Sequence, residues 1–152
     1  MKKLFLSCLL VLSAIAASAQ ILPYRPYAEY NGDMGTYLKY NFEERSDLYK
    51  GKTIGDLLKD VELTPIGYSL TSWYSQDDYK FYVFKIDIVF KRKTEGQFSE
   101  ISDEYLSIYL ETPFAYEEIR PLYKKTFGKT WTTEDYEFLK DKTIKVIKYQ
   151  YC

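Results

Sequence analysis

From Lys80 to Lys91 the chain reads KFYVFKIDIVFK, and a stretch of this kind leaves few folds open. Tyr82, Phe84, Ile86, Ile88 and Phe90 recur at every second position, opposite Lys85, Asp87 and Lys91. Successive side chains of a strand point to opposite faces, so this period predicts a strand with one face buried and the other polar. The preceding stretch, from about Ile66 to Ser75, repeats the pattern. Ile66, Tyr68, Leu70 and Tyr74 fall on one side, and Gly67, Ser69, Thr71 and Trp73 on the other. Between the two lies SQDDY, which has the polar composition of a hairpin turn. Sheets that pack on one side only are typically antiparallel.

Two more strands fit this sheet. Over Glu104 to Glu111, Leu106, Ile108 and Leu110 point inward and Tyr105, Ser107 and Tyr109 outward, and Pro113 is expected to end the strand. The last stretch, TIKVIKYQY, switches its apolar face between Val146 and Ile147, which predicts a bulge or an edge strand. Helical spacing is found elsewhere. Met34, Tyr37, Leu38 and Phe42, with Asp33 as N-cap, predict a helix from 34 to about 44, although a strand would place Leu38, Tyr40 and Phe42 on one face. Thr53 caps a short helix through Leu57, Leu58 and Val61, which stops before Pro65. Tyr116, Ile119 and Tyr123 suggest helix that Pro121 limits to short or kinked pieces. TTEDYEFLKD starts another, with threonine caps and with Glu134 and Asp135 in the first turn, where the helix dipole favours them. KRKTEGQFSE reads as a polar connection. The expected fold is a single α+β domain, an antiparallel sheet of about four strands with helices on one face.

The first residues, MKKLFLSCLLVLSAIAASAQ, place Lys2 and Lys3 before an apolar run that ends in Ala17-Ser18-Ala19. That is the pattern of a secretory signal over 1–19, cleaved between Ala19 and Gln20, so the mature chain is expected to carry no transmembrane anchor. Residues 20–31 are rich in Pro and Tyr. Tyr24, Tyr27 and Tyr30 recur every three residues, which polyproline II would align on one edge, but a mobile linker ahead of a domain at 32–152 is the simpler expectation. Cleavage removes Cys8 and leaves Cys152, which either stays reduced at the terminus or links two chains as a disulfide dimer. It also removes two of 21 basic residues against 22 acidic ones, taking the formal charge from -1 to -3. A nucleic-acid partner is therefore not expected.

Composition closes several chemistries. The chain has no histidine, so a Ser-His-Asp triad, a Cys-His dyad and His-ligated zinc are excluded. GKT occurs at Gly51 and again at Gly128, but a phosphate-binding loop needs a glycine five residues earlier, where Ser46 and Tyr123 stand. Each glycine is expected to turn the backbone, with no nucleotide and no cofactor bound. Neighbouring carboxylates at Asp77-Asp78, Asp103-Glu104 and Glu117-Glu118 point apart on a strand or helix and do not form a catalytic pair by themselves. Leu58-Lys59-Asp60 precedes Ile66-x-Tyr68 as Leu139-Lys140-Asp141 precedes Ile147-x-Tyr149, an echo that fits either a duplicated unit or coincidence.

What remains is tyrosine, at 17 residues, all beyond the signal. Strand phase sends Tyr68 and Tyr82 to the core, while Tyr105 and Tyr109 lie opposite the aliphatic row. Rigid rings with polar tips suit recognition. The sequence thus leads to a noncatalytic binding domain whose partner is a protein or a cell-envelope component, engaged through Trp73, Tyr105, Tyr109, Lys85 and Asp87 on an exposed sheet face. A glycan-binding module and a carboxylate-based hydrolase are the alternatives.

Overall fold

The computed structural model describes residues 22–91 and 103–151. The secretory segment with its Ala19/Gln20 boundary, the polar connection beyond its first residue Lys91, and Cys152 lie outside the described residues. Four strands, β1 (Gly67–Ser75), β2 (Lys80–Lys91), β3 (Glu104–Ala115) and β4 (Ile144–Tyr151), pair antiparallel in the order β1-β2-β3-β4. The helices are α1 (Met34–Leu38), α2 (Ile54–Asp60), α3 (Tyr116–Thr126) and α4 (Thr133–Leu139). Their apolar residues, among them Leu38, Leu57, Ile119 and Leu139, join Ile86, Ile88, Leu106, Ile108 and Ile147 of the sheet in one core. This is the α+β architecture with one-sided packing that the alternation predicts, and β4 is an edge strand that also carries a bulge.

Local chemistry accounts for the helix starts. The Thr53 hydroxyl accepts the Asp56 amide at 3.1 Å, and Asp56 in turn accepts from the Thr53 hydroxyl. Thr132 and Asp135 repeat this at α4. Such boxes satisfy amides that the first helical turn leaves unpaired. Asp135 also accepts the Tyr68 hydroxyl at 2.8 Å, tying α4 to β1 across the core. Burial above all, and then this bond, raise the Tyr68 pKa. Both GKT glycines have positive φ, +79° at Gly51 and +70° at Gly128. At Gly128 the demand is twofold, because a Cβ would also meet the Tyr68 carbonyl oxygen at 1.9 Å. This close approach lets Gly128 and Trp131 exchange hydrogen bonds with Tyr68 and Ile66 and cover the outer edge of β1.

Several expectations need correction. After α1 the chain continues as a π-helical turn over Lys39–Glu43, which excludes the strand alternative and buries Asn41. The Asn41 side chain bonds Arg25 N–H and C=O at 3.0 and 2.9 Å, so the segment ahead of the domain is packed on it and is no linker. Tyr27 and Tyr30 lie in a 3₁₀ turn, which shares the three-residue period of polyproline II, and both rings meet Tyr37 edge-on. Pro113 does not end β3, which runs on to Ala115, and α3 passes through Pro121 on its exposed side. Tyr82 and Phe84 are not core residues: Val83 is buried in their place.

Candidate functional site

The reversal at Val83 has a structural cause that also builds a hollow on the face opposite the helices. Between β1 and β2 the pairing steps from Thr71↔Lys85 to Ser72↔Val83, so Phe84 is an extra residue. Between β2 and β3 it steps from Lys85↔Tyr109 to Val83↔Phe114, so β3 spends Leu110, Glu111, Thr112 and Pro113 against Phe84 alone. Between β3 and β4 it steps from Tyr109↔Val146 to Leu110↔Ile144, leaving Lys145 extra. An inserted residue flips side-chain parity and bends its strand. Three neighbouring strands therefore depart from the regular ladder at one level, and an open hollow of about 490 Å³ results. Phe84, Glu111, Pro113 and Lys145, all from these irregular stretches, line it together with Trp73, Tyr109 and Leu110, which keeps its pairing with Ile144.

Pro113 suits this detour, since it lacks the amide that a regular strand position would use. Trp73 is 47% exposed and stacks on Tyr82 with ring centroids 5.4 Å apart. The Tyr82 hydroxyl donates to Asp78 in the hairpin turn, which holds the Asp78 carboxyl below its ordinary range and raises the phenol. Phe84 and Tyr109 meet at a tilt, with centroids 6.5 Å apart. The hollow thus has aromatic walls held from behind, with the exposed Glu111 and Lys145 among its lining.

Next to it lies a polar cluster. Asp87 is only 7% exposed, and its carboxylate accepts from Ser107 Oγ at 2.6 Å, Ser69 Oγ at 3.1 Å and the Lys85 ammonium at 3.1 Å. Beyond it a second hollow, about 390 Å³, is lined by Ser69, Asp87, Val89, Tyr105 and the Phe127–Lys129 turn.

The residues expected at the site are therefore divided by the structure. Trp73 and Tyr109 share the first hollow, Asp87 and Tyr105 the second, and Lys85 is joined to Asp87. Two details differ from expectation. Tyr105 and Tyr109 are half-buried and not fully exposed, and Lys85 and Asp87 are a paired, shielded unit instead of isolated charges. Phe84, Glu111, Pro113 and Lys145 escaped the sequence-based view. The signals were a proline just past the expected end of a strand, the face switch near Val146, and Val83 interrupting an aromatic row. Among the described residues, no group of three or more His, Cys, Asp or Glu side chains is placed to hold a metal ion. No known protein family, curated protein or solved structure matches this chain.

Proposed function

We propose that the chain is an exported, noncatalytic binding domain whose partner is a protein or another cell-envelope component, engaged through the Trp- and Tyr-bearing sheet face. The observation that carries this is the hollow built from inserted residues. Bulges concentrate next to functional sites because they re-aim side chains that a regular strand would point elsewhere. Here they converge a tryptophan, a phenylalanine and a tyrosine on one concavity with two exposed charges of opposite sign in its lining. Half-exposed aromatic anchors beside polar groups are the composition of protein-recognition surfaces. A glycan partner is the second reading, favoured by the single observation that Trp73 is a flat, partly exposed ring braced by Tyr82.

The test compares wild type with the Trp73→Ser, Tyr105→Ser, Tyr109→Ser triple variant in capture from envelope extract and on a glycan array. The folded variant should lose the captured protein, or the bound glycan if the second reading holds. Equal capture by the two proteins removes the proposal. A variant that does not fold shows that these rings form a second core layer, and the binding face is then wrong. Export has its own check: mass spectrometry should find the mature chain starting at Gln20, and a retained Met1 contradicts it.

A further inference from the structure

A third hollow, unrelated to the sheet face, lies where the N-terminal segment meets the end of α2. Arg45 sits between the π-helical turn and a short 3₁₀ turn, Ser46–Leu48. Its Nε and Nη1 are enclosed and have no hydrogen-bond partner. Among the described residues no ion pair includes this guanidinium, which lies over the Tyr24 ring with Cζ 5.5 Å from the centroid. Nη2, in contrast, is not enclosed. An open hollow of about 360 Å³ adjoins it, lined by Tyr24, Arg45, Tyr49, Lys59, Asp60 and Glu62.

Enclosed donors without acceptors are costly, and a guanidinium more so, because its charge is desolvated as well. An acceptor entering the hollow reaches Nη2 and supplies the counter-charge that the shielded guanidinium lacks, and a carboxylate does so through a charge-assisted hydrogen bond. The rest of the lining decides what the carboxylate is attached to. Glu62 is held by the Tyr24 hydroxyl at 2.7 Å and the Tyr27 amide at 3.1 Å, and Asp60 by the Tyr49 hydroxyl at 3.0 Å. Two anions are thus fixed in the wall of the hollow that contains the unpaired cation. The Lys59 ammonium is already engaged by Asp56 at 3.1 Å. A multiply charged anion such as phosphate would be repelled by these carboxylates, whereas a group carrying both charges matches both sides. We propose that this hollow binds a small zwitterion of the α-amino-acid class, its carboxylate on Arg45 and its ammonium toward Asp60 and Glu62.

Titration calorimetry on the full mature chain at neutral pH and low salt tests this, with glycine, L-alanine and D-alanine against acetate, methylamine and inorganic phosphate. At least one amino acid should bind saturably, and more tightly than acetate, methylamine or phosphate. Arg45→Met should weaken that binding by roughly tenfold or more, the loss of a charge-assisted pair. Glu62→Gln should weaken amino-acid binding while leaving acetate unchanged, which keeps the test decisive if Arg45→Met does not fold. Trp73→Ser, on the other side of the molecule, should leave amino-acid binding as it was, so failure here and failure of the sheet-face proposal are distinguishable. The proposal is overturned if no amino acid binds at millimolar concentration, which makes the hollow a hydrated one. Acetate or phosphate binding as tightly as the amino acids overturns it too.

Discussion

Replacing Asp87 with alanine probes whether the polar cluster on the open sheet face is a structural unit. The carboxylate accepts from two serine hydroxyls and one ammonium, and the Lys85 and Asp87 side chains are only 21% and 11% exposed. Water therefore compensates little. The alanine variant leaves Ser107, itself 1% exposed, without its acceptor and Lys85 without its counter-charge. Breaking one side of a shielded charge pair costs about 3 kcal/mol or more. Lys85→Met should cost less, about 1 kcal/mol, because Asp87 keeps both hydroxyl donors.

Urea unfolding followed by tryptophan fluorescence gives these differences, and a double-mutant cycle with Asp87→Asn isolates the ion pair, whose coupling should be about 1 kcal/mol. The result that refutes the reasoning is an Asp87→Ala cost below about 1 kcal/mol, the range of ordinary surface substitutions. Solvent would then satisfy the serines and the lysine, and the two hollows would not be separated by a rigid polar wall.

Three further outcomes are expected. Gly128→Ala should destabilise by about 3 kcal/mol or more, since its Cβ would overlap the Tyr68 carbonyl at 1.9 Å and its φ is +70°, and a near-neutral result in urea unfolding would show that the β1 edge is not sealed there. Deleting Phe84 should regularise β2 while leaving Val83 inward and Tyr82 opposite Trp73, so that circular dichroism is preserved and sheet-face binding is reduced; an unfolded deletion variant would mean the bulge is needed for folding. At alkaline pH, burial holds the pKa values of Tyr24, Tyr37, Tyr49 and Tyr68 above the ordinary 10.0. The folded state then keeps protons that the unfolded chain loses, so this stabilisation is complete below the unfolded value and erodes above it. Ultraviolet titration should show a late, cooperative tyrosine step coincident with unfolding, and a single smooth step with the fold intact would contradict it.

How much of this could be read in advance depends on the range of the interactions concerned. The ends of β2, the hairpin before it and the caps at Thr53 and Thr132 follow from neighbours within a few residues, and the structure has them where local chemistry puts them. The inward side of Val83 does not follow locally. KFYVF reads as a regular alternation with Tyr82 and Phe84 in phase with Ile86, and one inserted residue reverses that phase. Whether an insertion occurs is settled by the partner strand, here by the four-residue detour of β3 that ends at Pro113. The docking of residues 24–30 was hidden for the same reason, since its acceptors and donors at Asn41 and Glu62 lie on later segments. Arg45 stands out only once Tyr24 and Tyr49 are beside it.

The abundance of tyrosine takes on a different meaning in the folded chain. Tyr37, Tyr49 and Tyr68 are almost wholly buried, yet each hydroxyl ends on a polar partner: Tyr24 and the Glu62 amide, Asp60, and Asp135 respectively. A core built this way can cross from apolar packing to a polar boundary within one side chain, which suits a small domain whose layers are thin. Three of the 17 tyrosines take that role and six more pack part-buried against the core, so the composition by itself is no sign of a recognition surface. Geometry carries the distinction. Phe84 and Tyr109 meet in a concavity that a regular ladder would not contain, and Trp73 opens onto it with about half its surface uncovered. Packing alone would be better served by a continuous strand, because each inserted residue forfeits ladder hydrogen bonds. Three such departures at one level of the sheet forfeit ladder bonds while still sending Val83, Leu110 and Phe114 to the core, so what they add beyond packing is the concavity on the opposite face.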